Sequence, residues 1–438
     1  MKYSFATSFS KLALFTLLSV VLLSIGGWLV ALNGGNNACA TWPLCIPSNS
    51  AAWAQIFHRV SAGLSAVLVL ALLFHAWRTQ RDHRLLLPLT TVTVVLFFAQ
   101  AYVGAILVTS GFSLQLSILH SLTAVLLWIS MVALVVAAGF YARDYVEFPP
   151  LDIRQRLKDF ITLTKPVIVL LLLVTTFAGM VAGGKAWPSL SIAAWTLVGG
   201  ALAAGGSGAV NQYIDRDLDK NMQRTSKRPM AAGRMTPAEG LSFGIAMCIA
   251  SFYILAGFVN LLAAFLSLAG IFYYVFLYSI WLKKATVQNI VIGGGAGAIP
   301  PLVGWAAATG RLDVPAMVLF LIVFMWTPPH FWALAIVRRK DYERAGVPML
   351  PVIRGEHETR KQVLIYTVEL IAVTFLLPIL RYTGIVYLVS AVVLGAIFLF
   401  LAWRVYKIEG NKVAWTLYRY SSMYLMFLFL ALMVDALV

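Results

Sequence analysis

In NQYIDRDLD, residues 211–219, an otherwise apolar chain gathers amide and carboxylate side chains within nine residues. Asn211, Asp215 and Asp219 recur every fourth residue. On a helix of about 3.6 residues per turn this spacing stacks them on one face and leaves Asp217 on the opposite one. An ionisable side chain inside a membrane costs about 2.5 to 3.5 kcal/mol on insertion scales, so a row of them at a helix end marks a functional site. Carboxylate and amide oxygens suit Mg²⁺, which keeps part of its water shell and is completed by substrate phosphates. The expectation is a diphosphate substrate held through Mg²⁺; the bland alternative is a solvated helix end with incidental acids.

The composition surrounding this row is that of a membrane protein. Of 438 residues, 61% are hydrophobic and 11% charged, too apolar for a soluble chain. The formal charge of +16 could suggest nucleic acid, but Lys and Arg sit in short loops between apolar runs. That pattern is topogenic, and no nucleic-acid partner is expected. Apolar runs long enough to cross about 30 Å of hydrocarbon lie near 12–32, 56–77, 85–108 and 114–142. Nine more lie near 162–183, 190–211, 241–259, 261–282, 288–308, 314–337, 363–380, 383–403 and 417–437. The fold class is thus an all-α, multi-span membrane protein with about 13 transmembrane helices, and the first run is read as an uncleaved span.

Orientation follows from the basic residues. With a cytoplasmic N-terminus, the cytoplasmic loops collect most of the Lys and Arg, including those of 216–234 and 338–361, while the other side keeps Arg59, Lys185, Arg311 and Arg381. The C-terminus then lies outside, in a bacterial or archaeal cell membrane. Cys39 and Cys45 also fall outside, where a disulfide can form. The polar stretch from Arg143 contains Pro149 and Pro150, which block helix continuation. It divides the chain into 1–142, a linker 143–161, and 162–438.

After the acidic row comes KNMQRTSKRPMAAGRM, residues 220–235, with Arg224 and Arg228 in a loop broken by Pro229 and Gly233. Acids that hold metal, followed by guanidinium forks, are what a diphosphate pocket needs; the competing reading is positive-inside topology alone. Lys283 and Lys284 follow Tyr278 at the end of one span, and Asp341 with Glu343 offers a second acidic cluster on the same side. His330, the sole histidine of these spans, adjoins Pro328 and Pro329. It is a candidate for a haem contact or proton transfer, against a hydrogen-bonded structural histidine. GGGAGA at 293–298 has no preceding strand and is read as close helix packing, not a nucleotide loop.

LTKP (163–166), NQYIDRDLD, the Arg-rich loop, YSIWLKKATVQNIVIGGGAGAIPPLVGW (278–305), WTPPHFWALA (326–335) and DYERAGVPMLP (341–351) occur in this order. Together they resemble the UbiA-type intramembrane prenyltransferases, and within them the protoheme IX farnesyltransferases. The resemblance implies a nine-helix bundle around a cavity open to lipid. It also implies Mg²⁺ held by Asn211, Asp215, Asp219 and Asp341, with Lys165, Arg228 and Lys283 stabilising departing diphosphate. Arg224, Tyr278 and Lys284 would help bind farnesyl diphosphate, and walls such as Tyr278, Trp326 and Phe331 would shelter the farnesyl cation. A vinyl group of haem B would attack that cation, and water would complete haem O. One departure from the superfamily pattern is Ala345, where an Asp is often found.

In the first part, His58 opens one span and His120 lies early in another at similar depth. Two imidazoles on facing helices can hold a haem iron from both sides, and Arg59 could meet a propionate. CATWPLC (39–45), QIFHR (55–59) and LHSLTA (119–124) resemble one four-helix half of haem A synthase, with Gln55 in place of that family's acid. The implication is a haem-binding four-helix domain, with haem A synthase or cytochrome oxidase assembly proteins as partners beside the lipid bilayer. The rival readings are a prenyltransferase for a quinone or chlorophyll-type acceptor, a haem or lipid transporter, and a haem sensor.

Overall fold

The computed structural model describes residues 5–33, 38–39, 41–43, 46–144 and 152–438. It is 82% helix, with no strand among the described residues. Thirteen helices among them are long and apolar enough to cross a membrane. Helix is the form an open chain can take in lipid, because it satisfies every backbone polar group within its own segment.

The first helices are α1 (Ser8–Leu32), α2 (Ser50–Thr79), α3 (Leu86–Thr109), α4 (Leu114–Tyr141), α5 (Ile153–Leu163), α6 (Pro166–Gly184), α7 (Leu190–Lys220) and α8 (Pro237–Phe258). They are followed by α9 (Leu261–Ala285), α10 (Asn289–Thr309) and α11 (Val314–Val337). The last are the short α12 (Arg339–Arg344), then α13 (Gly355–Ile379), α14 (Ile385–Lys407) and α15 (Asn411–Leu437). Side-chain oxygens of Asn49, Ser113, Ser189 and Asn260 cap the starts of α2, α4, α7 and α9. Several spans run past their expected ends. Most usefully, α7 continues without a break from its apolar part through the acidic row.

The chain forms two compact units, Met1–Arg156 with Met235–Ala250, and Leu157–Arg234 with Ser251–Val438. The expected linker 143–161 overlaps the helix α5, and the break between the units, after Arg156, falls within that helix. The start of α8 joins the first unit for a physical reason. Ala238 belongs to the apolar core of Phe9, Leu72, Leu86, Leu87, Met131 and Leu134. The fully buried Glu239 carboxylate lies 3.5 Å from Arg81 and 3.2 Å from Arg156, so neither the buried acid nor its bases are left as lone charges.

In the second unit, α6 and α10 meet backbone to backbone. A methyl group added at Gly179 would collide with Pro301 O, and one at Gly304 with Thr176 O. Without a hydrophobic drive between helices in lipid, such close van der Waals approach is what associates them. The GGGAGA run serves packing too: Gly293 lies under the Tyr278 ring, Gly294 under Thr327 and Gly295 under the Tyr273 hydroxyl. Pro300, Pro301, Pro328 and Pro329 sit inside continuing helices.

Candidate active site

Asn211, Asp215 and Asp219 occupy one buried face of the last turns of α7. Asp217 points away, exposed, and pairs with Lys220 at 3.0 Å. The fourfold spacing therefore sorts the acids as a helix must. Asn211 Nδ2 donates to Asp215 Oδ2 (2.8 Å) and Ser279 Oγ (3.0 Å). Lys283 Nζ donates to Asp215 Oδ2 at 2.5 Å, and Arg228 Nη1 reaches both Asp219 oxygens at 3.0 and 2.8 Å.

Lys165 completes the cluster from LTKP. Its Nζ donates to Asn211 Oδ1 (2.6 Å) and to Tyr274 Oη (3.3 Å). The residue caps α6 in the left-handed region, φ 55°, with Pro166 in the first turn of the helix. That conformation costs a non-glycine residue about 1 to 3 kcal/mol and persists where its surroundings impose it. Gln212 supplies the imposition, its Nε2 donating to Thr162 O (3.2 Å) and Leu163 O (3.1 Å). Lys165 lies just outside the span that follows. Burial, and then the nearby Arg228 guanidinium, push its ammonium down to about 7, against the opposing pull of Asp215.

Three cationic side chains thus face two carboxylates in a buried cluster, an excess that favours an anion. Asp215 Oδ1 is buried without a hydrogen-bond partner. An orphaned carboxylate oxygen beside an amide and a second carboxylate has the donor chemistry that a hard divalent cation takes. Among the described residues no group of three or more His, Cys, Asp or Glu side chains converges. Asn211, Asp215 and Asp219 are brought together; Asp341 is buried but has Arg344 at 3.9 Å as its charged neighbour. Glu343, Arg224 and Lys284 are exposed. Tyr278 is within electrostatic range of Asp215, Tyr342 and Arg224, which puts the start of α12 in the same neighbourhood.

Sequence reasoning missed the backbone that shapes this wall. Residues Tyr273–Leu282 form a π-helix within α9, a form that clusters at functional sites. It stacks Tyr274 on Tyr278 with ring centres 5.6 Å apart, and Ser279 Oγ donates to Tyr274 O at 2.8 Å. Tyr274 and Ser279 are the further residues this turn adds. Tyr274 was findable, standing one turn before Tyr278, whereas nothing in the sequence signals the π-turn.

His330 packs between α11 and α15. Its ring stacks on Trp326 at 4.2 Å and Tyr418 at 4.6 Å. Its Nδ1 lies 2.6 Å from Ser421 Oγ, while Ser421 Oγ donates to Tyr418 O. A hydroxyl has one proton to give, so His330 Nδ1 is the donor and Nε2 holds the lone pair. Trp326, expected as a cavity wall, donates its indole N–H to Ser421 O at 2.7 Å. Phe331 is 37% exposed.

In the first unit, His58 Nδ1 lies 3.0 Å from Leu23 O. His120 Nε2 lies 3.1 Å from Gln100 Nε2, and the two imidazoles are close enough to interact electrostatically. Arg59, expected to face a propionate, instead holds the preceding loop. It donates to Thr41 O (2.7 Å), Pro43 O (3.2 Å), Cys39 O (3.0 Å) and Gln55 Oε1 (2.7 Å). A guanidinium presents its donors in one rigid fork, and four carbonyl partners fill most of it. Cys39 is disulfide-bonded and Cys248 is free; Cys45, the expected partner of Cys39, lies outside the described residues.

A helical membrane bundle with this buried acid row matches the UbiA prenyltransferase family over residues 172–431, and the chain belongs to that family and is a prenyltransferase. Residues 46–230 also match a cytochrome oxidase assembly protein family, COX15-CtaA. Among relatives, the chain is 44% identical over 425 residues to the protoheme IX farnesyltransferase of Roseiflexus sp. (strain RS-1), covering 91% of this chain and 79% of the relative. It is 51% identical over 288 residues to the protoheme IX farnesyltransferase of Trichodesmium erythraeum (strain IMS101), covering 65% of this chain and 88% of the relative. A solved structure of digeranylgeranylglyceryl phosphate synthase shares the fold, with a TM-score of 0.56 at 17% identity over 65% of this chain and 99% of that one.

Proposed function

We propose that this chain transfers a farnesyl group from farnesyl diphosphate to a vinyl group of protohaem IX (haem B), giving haem O. The observation that carries the reading is the buried meeting of Asp215 and Asp219 with Lys165, Lys283 and Arg228 at the end of α7. Relatives bearing the name protoheme IX farnesyltransferase supply the substrate pair.

Asn211, Asp215 and Asp219 would hold Mg²⁺, with Asp341 contributing from α12. The ion, when bound, neutralises diphosphate oxygens as the leaving group departs. Lys165, Lys283 and Arg228 exchange their present carboxylate and amide partners for phosphate oxygens, so that fixed positive charge stands where negative charge develops. Arg224 and Lys284 extend that basic rim. The allylic C–O bond breaks, the farnesyl carbon joins the vinyl carbon, and water adds the hydroxyl with loss of its proton. His330 Nε2, held as the lone-pair nitrogen by Ser421, is the group we assign to accept that proton or to touch haem. Tyr274 and Tyr278 present stacked π-faces toward the cation.

The first unit would hold haem between His58 and His120, with a Cys39–Cys45 disulfide closing the loop that Arg59 clamps. In this reading haem A synthase or oxidase assembly proteins receive the product. The distribution of Lys and Arg supports a cell-membrane protein with its N-terminus in the cytoplasm and its C-terminus outside. The test is expression in a host lacking its own haem O synthase, followed by haem extraction and mass analysis. A purified-protein assay with farnesyl diphosphate and either haem B or 4-hydroxybenzoate separates this activity from quinone-precursor prenylation. Prenylation of 4-hydroxybenzoate with no haem O would refute the reading.

A further inference from the structure

The two imidazoles of the first unit are not equivalent, and the difference lies in what each ring nitrogen touches. Leu23 O can only accept, so in the neutral ring His58 Nδ1 carries the proton and Nε2 holds the lone pair. A backbone carbonyl on the far nitrogen is the usual way a ligating histidine is oriented and made more basic. His120 likewise has a backbone carbonyl beside its ring, that of Gln100, and differs from His58 at Nε2. The Gln100 side-chain amide nitrogen donates to its Nε2 at 3.1 Å, while Gln100 Oε1 is buried with no hydrogen-bond partner. Each ring also lies over a glycine on the neighbouring helix. A methyl group at Gly27 would come 3.2 Å from His58 Cε1, and one at Gly104 would come 3.0 Å from His120 Cε1. Both rings therefore have a side-chain-free wall behind them, but one has its coordinating nitrogen prepared and the other has it occupied.

We infer that Gln100 is a competing partner for His120: haem held in the first unit is ligated by His58 as the standing ligand and by His120 as an exchangeable one, the Gln100 amide reclaiming His120 Nε2 when the iron leaves. The inference rests on the assignment of haem to His58 and His120 made above. The exchange has a sound balance, since no proton or electron moves: one lone pair on His120 Nε2 passes between an amide N–H and iron. The unpartnered Gln100 Oε1 adds a bias, because the haem-free arrangement leaves it unsatisfied and is correspondingly easier to give up. A site built in this way suits a haem that must be passed on, which a bis-histidine electron carrier does not require.

The test uses the full chain in lipid nanodiscs, titrated with haem B. Spin state is read from the absorption and paramagnetic resonance spectra, and release from transfer to apomyoglobin. His58→Ala is expected to lose the first-unit haem signal, and His120→Ala to retain a five-coordinate, high-spin form. Gln100→Leu and Gln100→Met, which remove the donor at similar volume, are expected to raise the six-coordinate, low-spin fraction and slow release about three- to tenfold, the equivalent of one net hydrogen bond. Circular dichroism and thermal unfolding of the same preparations report that each variant is folded. Release unchanged or faster in both Gln100 variants, with the signal still dependent on His58, overturns the competition while leaving the haem site standing. Spectra that are the same with and without His58 overturn the haem site itself, and the inference with it.

Discussion

Replacing Asp215 by Asn separates two roles that one carboxylate carries. Its Oδ2 pairs with Lys283 at 2.5 Å and accepts from Asn211 at 2.8 Å, and its Oδ1 has no partner. Breaking a buried pair from one side costs about 3 to 5 kcal/mol because the other charge is left alone. Lys283 keeps 15% of its side chain exposed, so water relieves part of this and the lower end is expected. The catalytic loss is separate: removing one preorganised electrostatic group lowers turnover about 10²- to 10³-fold, or about 2.7 to 4 kcal/mol. Adding Lys283→Met to Asp215→Asn removes the stranded ammonium and should recover most of the lost thermal stability. It should not recover transfer, because the carboxylate proposed to hold Mg²⁺ is still missing and a proposed phosphate contact has gone as well. The assay is thermal unfolding in detergent alongside mass-resolved haem O formation, with Mg²⁺ varied from chelated to saturating. Asp215→Asn that retains transfer to within about threefold of the parent at saturating Mg²⁺ would refute the reasoning. So would a double variant that regains activity.

Lys165→Met is expected to raise KM for farnesyl diphosphate about tenfold or more, since a charge-assisted hydrogen bond contributes about 1.5 to 3 kcal/mol; steady-state kinetics with haem B saturating check it. His330→Phe keeps the stack on Trp326 and Tyr418 but removes Nε2, and haem O formation should fall about 10²-fold or more with farnesyl diphosphate binding unchanged. Product formation at the parental rate would leave His330 as a packing residue. Gly304→Ala drives a methyl group into Thr176 O and should destabilise the fold by about 1 to 3 kcal/mol. Gly297→Ala, where a methyl group meets nothing within 4 Å, serves as the control, and melting temperatures of the two variants are compared.

The fold was legible because lipid leaves the chain few options. Runs of about 20 apolar residues can only be helices there, and the thirteen helices found follow the thirteen runs read. Helix ends were less legible, since α13 begins with polar pairs of its own, Glu356 with Arg360 and Glu358 with Gln362, while α7 extends beyond its apolar part through polar residues with partners on other segments. Gln212 is an example: its role is to hold the carbonyls of Thr162 and Leu163, about 50 residues back, and no local pattern reports that. The acidic row was legible for the opposite reason. Its spacing of four is a property of one helix, so the buried face of Asn211, Asp215 and Asp219 and the exposed side of Asp217 follow from sequence alone.

What could not be read is which base meets which acid. Lys283 and Lys284 are adjacent in sequence, yet one is paired with Asp215 and the other is exposed. The π-turn decides between them: an i to i+5 winding shifts every later side chain around the helix relative to an α-helix, and it is this shift, ending at Leu282, that sets where Lys283 falls. The same limit applied to Arg59. Its neighbour His58 suggested a haem propionate, whereas the loop carbonyls that occupy it come from residues 16 to 20 positions earlier. Functional residue types can thus be nominated from spacing along one helix, but their assignment to a ligand depends on contacts between elements. For this chain the decisive contact is the excess of fixed positive charge around Asp215 and Asp219, which three separate segments contribute and only the assembled bundle brings together.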